Sequence, residues 1–593
     1  MLRRQEIHAD LCVIGGGMAG ICAAIASARN GAKTVLMHER PVLGGNASSE
    51  IRMWVCGAQG ENNRETGILE EIQMENYYRN STKNYYIWDT VLYDFVKREE
   101  NLTLLLNCTC MDARVQNGDF ADGRNVRITK VSGYQMTTQT FIDVYAKNYA
   151  DCSGDSILAP LTGAQFRIGR ESADEFGEDT HVKVADDLTM GLSCLLQGRE
   201  TDRPVKFTPP SWSTKLTSEN FKHRNPNLES SYENFWYLEL GGNRDTIHET
   251  EEITSELIPL ALGTWDHIKN SGEYNADNWE LEFLGFLPGK RESRRMVGEY
   301  IITERDITED KYFEDTVAYG GWPLDDHFPD GFYHKGSPNT NITTPESYCI
   351  PYRALYSKNV ENLFFAGRNI SMTHMAMSSI RVMATCGLMG QAVGTAAALA
   401  AKYDLTPHGV YKNKIAELRE ILADSDCFLP HYRRETSELC KNTEITNGGN
   451  ELKNGEDRPH ICYNTTECGM SISNGTPIEY RFSKPQHINS VHVTFDSDLG
   501  RTTLPGDGCE RTHIMRANVK LDSPVFYVPK TLCRKFYVEL ITEKGDEKII
   551  AENNNLKRAY HFEIGKEVTG VRLVPLSNWG ESDKTTVFSF DFR

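Results

Sequence analysis

Positive charge is scarce in this chain. Lys and Arg total 64 against 83 Asp and Glu, a formal net charge of −19 over 593 residues. Acidity of that size opposes the phosphate backbone of DNA or RNA. No basic tract or zinc-type spacing offsets it, so neither a nucleic-acid partner nor a bound metal is expected. Long apolar runs are scarce too. The most membrane-like run, Met383–Ala401, carries Thr385, Gln391, Thr395 and several glycines, and reads as a buried helix, not a membrane span. The first apolar strand lies so near Met1 that no signal peptide fits before it. No CxxC motif occurs; Cys108 and Cys110 have the wrong spacing, and the 15 cysteines are an odd, scattered set. Free thiols in a cytoplasmic protein fit best. The length exceeds that of one compact domain.

The chain is organised around Asp10–Glu39. The apolar strand Leu11–Ile14 runs into Gly15, Gly17 and Gly20, a GxGxxG pattern, then an alanine-rich helix, a second strand Thr34–Met37 and Glu39. Gly15 permits the tight turn, Gly17 lets a pyrophosphate approach the backbone, and Gly20 lets the helix pack against the strand. The helix N-terminus offers N–H groups to phosphates, and Glu39 lies where an acid can take the adenosine ribose hydroxyls. An ordinary βαβ turn does not explain the acid.

Further along, Ile68–Tyr78 and Thr90–Glu99 read as amphipathic helices and Leu102–Leu106 as the next strand. Val126–Tyr145 suggests a β-meander, and Val144–Asp155 a strand ending at the cofactor crevice. Residues 166–345 are irregular and hold Trp212, Trp236, Trp265, Trp279 and Trp322. The basic cluster Lys290, Arg291, Arg294 and Arg295 shares a face if it is helical. A strand, Asn362–Ala366, leads through Gly367-Arg368-Asn369 and a polar loop, Ile370–Met377, to a long helix of about Ser378 to Ala401. That helix is dense in Gly and Ala, so something large must pack closely on it. A helix near Asn413–Ala423 follows. Turn residues at Asn447–Asn450 and Asn454-Gly455 predict an exposed connector. Beyond it, Ile478–Phe482, Ser490–Phe495, Lys535–Ile541, Gly570–Val574 and Thr586–Phe592 alternate as short strands of a small all-β sandwich.

Several stretches together carry a family likeness: the glycine motif with Glu39, then GGNASSEIRMW, PGKRESRRMVGEYIITE, IPYRALY and NLFFAGRNISMTHMAMSSIRVMATCGLMGQAVGTAAA. Over about residues 8–430 the chain resembles bacterial FAD-dependent oxidoreductases with a glutathione-reductase-like FAD fold, distantly similar to fumarate reductase flavoproteins. The resemblance implies FAD, with its AMP half at Gly15, Gly17, Gly20 and Glu39 and further contacts at Gly45, Asn46 and Asp155. It implies that Gly367, Arg368 and Asn369 close over the pyrophosphate or ribityl chain. Many flavoproteins have Gly-Asp there, so the position carries over and that acidic contact does not. The helix near Ser378 would aim its N-terminus at the flavin pyrimidine ring. IEYRFSKPQHINSVHVTFDS and VTGVRLVPLSNWG resemble a galactose-binding-like, discoidin-type sandwich, many of which bind sugars.

The expected fold class is therefore α/β. A Rossmann-type FAD-binding domain (1–165 and 346–405) is interrupted by an inserted α+β substrate or cap domain (166–345). A helical connector (406–454) and an all-β sandwich (455–593) follow. His374, before the long helix, is the candidate general base, since histidine suits proton transfer near neutrality. Arg381, two helical turns on, would hold an acidic substrate or the reduced flavin's charge. His327 is the second candidate base, and Cys56 and Cys386 read as packed. Three functions compete. The first is oxidation of a carbon–OH group of a sugar or glycoside, passing electrons to an acceptor the sequence does not name. The second is reduction of an activated double bond, with Arg381 as carboxylate clamp or acid. The third is a carbohydrate-binding protein on a non-catalytic nucleotide fold.

Overall fold

The apolar run Leu11–Ile14 ends a longer strand, β1 (Arg3–Ile14), which passes from an exposed charged start to a buried end. The computed structural model describes residues 2–120, 123–179, 182–228, 234–463, 468–501, 515, 517–523 and 525–593. After β1 come helix α1 (Met18–Arg29), β2 (Thr34–Met37), β3 (Leu102–Leu105), β4 (Cys108–Asn117), β5 (Val126–Gln135) and β6 (Thr140–Asp151). β1 lies between β2 and β6, parallel to both, and β3 extends the parallel set. On the far side of β6 the sheet is shared. The start of β6 pairs antiparallel with β5, which pairs with β4, and its end pairs parallel with Leu363–Phe365. The last strand comes from more than two hundred residues downstream, so the sheet closes from two separated chain segments. This is a mixed sheet, parallel from β3 through β6 and antiparallel from β6 to β4.

The close partner demanded by the Gly/Ala-rich helix is α1. Cβ atoms at Gly390 and Gly394 would come within 2.1 Å and 2.0 Å of the carbonyl oxygens of Ala19 and Ala23. Only glycine lets the two backbones approach this far. Both helices bury nearly every side chain. The helix spans Met383–Tyr403 and is long and apolar enough to cross a membrane by length and composition, yet 94% of its most apolar window is buried inside the protein.

The helix starts later than Ser378. Val382 is extended (φ −66°, ψ 144°) and divides the stretch into a short helix, His374–Ile380, and the long one. Thr373 caps the short helix by accepting the Ala376 N–H, so His374 stands at a helix start and not in the expected loop. The basic cluster is not helical either. Gly289–Lys290 and Arg295–Met296 are short strands, and the arginines diverge, Arg291 toward the sheet's crevice and Arg295 into a buried ion-pair cluster.

Residues 192–332 supply a separate core. Helix Thr250–Asn270 buries Leu257, Leu260 and Trp265 against Leu196, Phe235 and Trp279. Each such side chain contributes roughly 1.5–3 kcal/mol on burial. Small two- and three-stranded sheets surround it, including the hairpin Leu324–His327 with Asn339–Ile342.

The C-terminal part is an antiparallel sheet around its own core of Ile478, Tyr480, Val491, Phe536, Leu573 and Phe590. Two expected strands are one: Ile478–Phe495 runs through with register shifts at bulges, and Gly545–Glu552 is an additional strand. Ile445–Thr446 already pairs with Tyr480 and Glu479, so the unit takes in chain before residue 455. The connector is only partly exposed. Asn447 and Asn454 face solvent, but Gly455 is buried against the Arg434 carbonyl. Buried charge ties this unit to the rest. Arg501 pairs with Glu70, Arg558 with Asp426, and Arg458 donates to the carbonyls of Asn62 and Arg64.

Candidate active site

The ends of β1, β2, β6 and Leu363–Phe365 open onto one cavity of about 400 Å³, at the C-terminal edge where open α/β sheets bind ligands. Its floor is Gly15, Gly16, Gly17, His38, Glu39, Gly44, Gly45, Asn46, Cys152–Gly154, Gly367 and Arg368. Gly15 is left-handed (φ 103°), and a Cβ there would press on Cys152 backbone at 2.4 Å. Gly20 lies behind it, with a Cβ only 1.8 Å from the Gly15 carbonyl oxygen, so it serves helix–strand packing and does not line the cavity. Gly45 (φ 59°) brings the second turn against Gly17, and the Gly44 N–H donates to the Gly16 carbonyl at 2.8 Å. The helix α1 N-terminus has no side-chain cap. Neither has the N-terminus of Met383–Tyr403, where Arg381, Val382 and Met383 reach the cavity. Two uncapped helix ends facing one cavity favour anionic groups there.

Glu39 stands half-exposed on the lining. Partial burial pushes its carboxyl up, but His38 and Arg40 outweigh that and bring it down to about 2, an anion in place for hydroxyl donors. Asn46 lines the cavity and donates to the Lys290 carbonyl at 3.0 Å. Asp155 stands behind the lining. Burial opposes its charge, yet Arg368 and Lys290 (Nζ at 2.9 Å) hold it well below the usual carboxylate range. Arg368 therefore faces the cavity already neutralised. Asn369 turns inward, with Nδ2 3.3 Å from Asp151 Oδ1 and its own Oδ1 buried without a hydrogen-bond partner among the described residues.

The opposite wall comes from the separate core and the hairpin: Ser193, Trp236, Arg291, Trp322, Asp325, His327, Asn339, Asn341 and Arg381. Strand alternation sorts the LDDH stretch. Asp325 and His327 face the cavity, in register with Asn341 and Asn339, while Asp326 faces away. His327 Nδ1 is 2.7 Å from Glu239 Oε2, and Nε2 is 3.4 Å from Asp325 Oδ2. Trp236 stands edge-on to the imidazole at 5.0 Å. Arg291 bonds Ser193 Oγ at 2.7 Å and approaches Glu239 at 3.2 Å. Arg381 Nη2 bonds Asp325 twice at 3.0 Å, through carbonyl and carboxylate. Arg381 Nε and Trp322 Nε1 are buried donors with no hydrogen-bond partner among the described residues.

His374 is elsewhere. It is 1% exposed, does not line the cavity, and lies on the outer side of the hairpin. Nδ1 is 2.9 Å from Glu292 Oε2, and Nε2 is 3.0 Å from Asp326 Oδ1. Burial would lower its pKa, but the two carboxylates raise it to about 10. An imidazolium at neutral pH has no lone pair to take a proton, so the expected pairing of His374 with Arg381 in one site gives way to His327 with Arg381. Burial pushes the Cys56 and Cys386 thiols up to about 12, so both are inert packing groups. Glu239, which holds His327 in place, was not legible, since it lies 88 residues away in the chain.

A family model described as FAD dependent oxidoreductase matches residues 10–422. Similar solved structures include the FrdA chain of E. coli quinol fumarate reductase, 13% identical over 71% of this chain and 75% of that one, TM-score 0.28. A geranylgeranyl bacteriochlorophyll reductase-like protein from Thermoplasma acidophilum is 13% identical over 71% and 84%, TM-score 0.28. The family 32 carbohydrate-binding module of Streptococcus pneumoniae EndoD is 11% identical over 26% and 88%, TM-score 0.17. No curated protein matches.

Proposed function

The chain belongs to the FAD-dependent oxidoreductase family, and we propose that it oxidises a carbon–OH group of a sugar or glycoside. The flavin, when bound, supplies the hydride acceptor. The glycine floor, the two uncapped helix ends and Glu39 fit a dinucleotide carrying phosphates and ribose hydroxyls. Gly17 gives the cleanest test of that fit. A Cβ there meets nothing nearer than Gly45 Cα at 4.0 Å, so Gly17→Leu is expected to fold and to intrude on the cofactor alone. Overpacking of about 1–3 kcal/mol would weaken FAD binding by about 5- to 150-fold, read by equilibrium dialysis. Unchanged affinity would place the pyrophosphate elsewhere.

The observation that carries the substrate reading is the opposite wall. Trp236 and Trp322 line the cavity beside Asn339, Asn341, Asp325 and His327. A sugar has the same mixture of apolar C–H faces and hydroxyls. In this reading Glu239 holds the His327 Nδ1 proton, leaving Nε2 to accept the proton of the reacting hydroxyl. Asp325 and the asparagines orient neighbouring hydroxyls. The C-terminal unit is proposed as a galactose-binding-like module serving the same substrate class.

Arg291 and Arg381 favour a second reading, reduction of an activated double bond in a carboxylate-bearing substrate. An anaerobic screen separates the two. Sugars or glycosides are expected to bleach the flavin absorbance, and enoates to leave reduced protein unchanged. Reoxidation by enoates with no bleaching by any sugar would reverse the assignment. A scaffold without catalysis is set aside by the family and by the intact floor.

A further inference from the structure

Far from this cavity the fold assembles a group that the sequence spacing does not announce. His492 lies in strand Ile478–Phe495 and His561 in strand Ala559–Asn578, directly opposite each other in antiparallel register. Opposed residues project from the same face of a sheet, and the two rings stand 6.0 Å apart. Helix Pro407–Asp424 meets that face at its C-terminal end, bringing Asp424 Oδ1 to 3.5 Å from His561 Nδ1. One donor atom from each of the three residues lies within 4.8 Å of the other two.

One feature points to a ligand. His492 is 2% exposed, and its Nδ1 has no hydrogen-bond partner among the described residues, while His561 Nδ1 has only the Asp424 carboxylate at 3.5 Å. A buried nitrogen left unpaired is costly. His492 Nε2 lies 2.9 Å from Thr494 Oγ1, which can take its proton and leave the Nδ1 lone pair free. Asp424, Glu420, Asp457, Asp591 and Glu563 adjoin the cluster, with Arg434, Arg558 and Arg593 among them. Arg593 bonds both Asp424 oxygens at 2.8 and 2.9 Å, so a bound cation takes Asp424 over from that guanidinium.

We propose that Asp424, His492 and His561 bind one divalent transition-metal ion of the Zn²⁺ type, clamping the all-β unit to the helix that follows the FAD-binding part. Two imidazoles and a carboxylate are a Zn²⁺ donor set, completed by water. Tetrahedral donors about 2.0–2.2 Å from zinc stand roughly 3.4 Å apart; Asp424 and His561 already match this at 3.5 Å, and His492 closes on them from within 4.8 Å. His561 Nε2, 3.4 Å from Glu563, has a carboxylate to orient it.

The test uses the full-length, FAD-loaded protein, stripped with EDTA and titrated with Zn²⁺ against a colorimetric chelator. One equivalent is expected to bind and to raise the melting temperature. His492→Ala and His561→Gln should each weaken binding by more than about 100-fold, beyond the ~10–100-fold that loss of an outer partner costs. His487→Ala, exposed on the same strand, should bind as wild type. Retained flavin reports folding, and should His492→Ala fail to hold it, the rim variant His561→Gln decides. Zn²⁺ lost wholly to the chelator by wild type, or held equally by His561→Gln, would overturn the site.

Discussion

His327→Ala is expected to keep FAD and to reduce it about 10²–10⁴ times more slowly, the usual worth of a general base. The imidazole lines the cavity with Nδ1 anchored 2.7 Å from Glu239. Arg291, 3.2 Å from the same carboxylate, still balances Glu239 when the imidazole is gone. The change therefore removes a proton acceptor without stranding a buried charge. Stopped-flow reduction by the best sugar from the anaerobic screen measures it. Imidazole added to the solvent should restore part of the rate, which a purely structural loss would not allow. Reduction at the wild-type rate would remove His327 from the chemistry.

His374→Ala should act on stability. His374 and Arg295 offset Glu292, Glu171 and Asp326 in a cluster that is buried except at Asp326, whose side chain is 23% exposed. Removing one partner of a buried pair leaves an uncompensated charge and costs about 3–5 kcal/mol. The pH dependence has a definite sign. A folded-state pKa of about 10 is raised above the ordinary 6.5. The imidazolium's contribution is therefore complete below about pH 6.5 and is lost as pH rises through about 10. Denaturant melts of wild type and variant should differ most near pH 6 and converge toward pH 10. A constant gap across that range would mean that His374 is neutral in the folded protein.

The parts of the site that were legible are those written locally. The strand, glycine turn and helix of Leu11–Arg29 and the acid at Glu39 all fall within thirty residues, so spacing and residue type suffice. The opposite wall of the cavity is not local. Glu239, Arg291, His327 and Arg381 meet only because a separate core and a hairpin fold over the sheet edge. One sign was available: in Leu324-Asp325-Asp326-His327 the period of two already assigns Asp325 and His327 to one face. Thr373, as a helix cap, could likewise have placed His374 at a helix start. The long strands of the C-terminal unit were read as shorter ones because bulges interrupt the alternation of Ile478–Phe495.

The seam between α1 and Met383–Tyr403 bears on how the protein is made. The glycines that receive α1, Gly390 and Gly394, leave the ribosome several hundred residues after it. At about 5–20 residues per second the apolar face of α1 waits tens of seconds for its partner, and the sheet waits as long for Leu363–Phe365. The cofactor cavity therefore cannot exist on a nascent chain shorter than about Tyr403. Flavin loading is therefore expected late in biogenesis, and chains truncated before that helix are expected to expose the apolar face of α1 and aggregate.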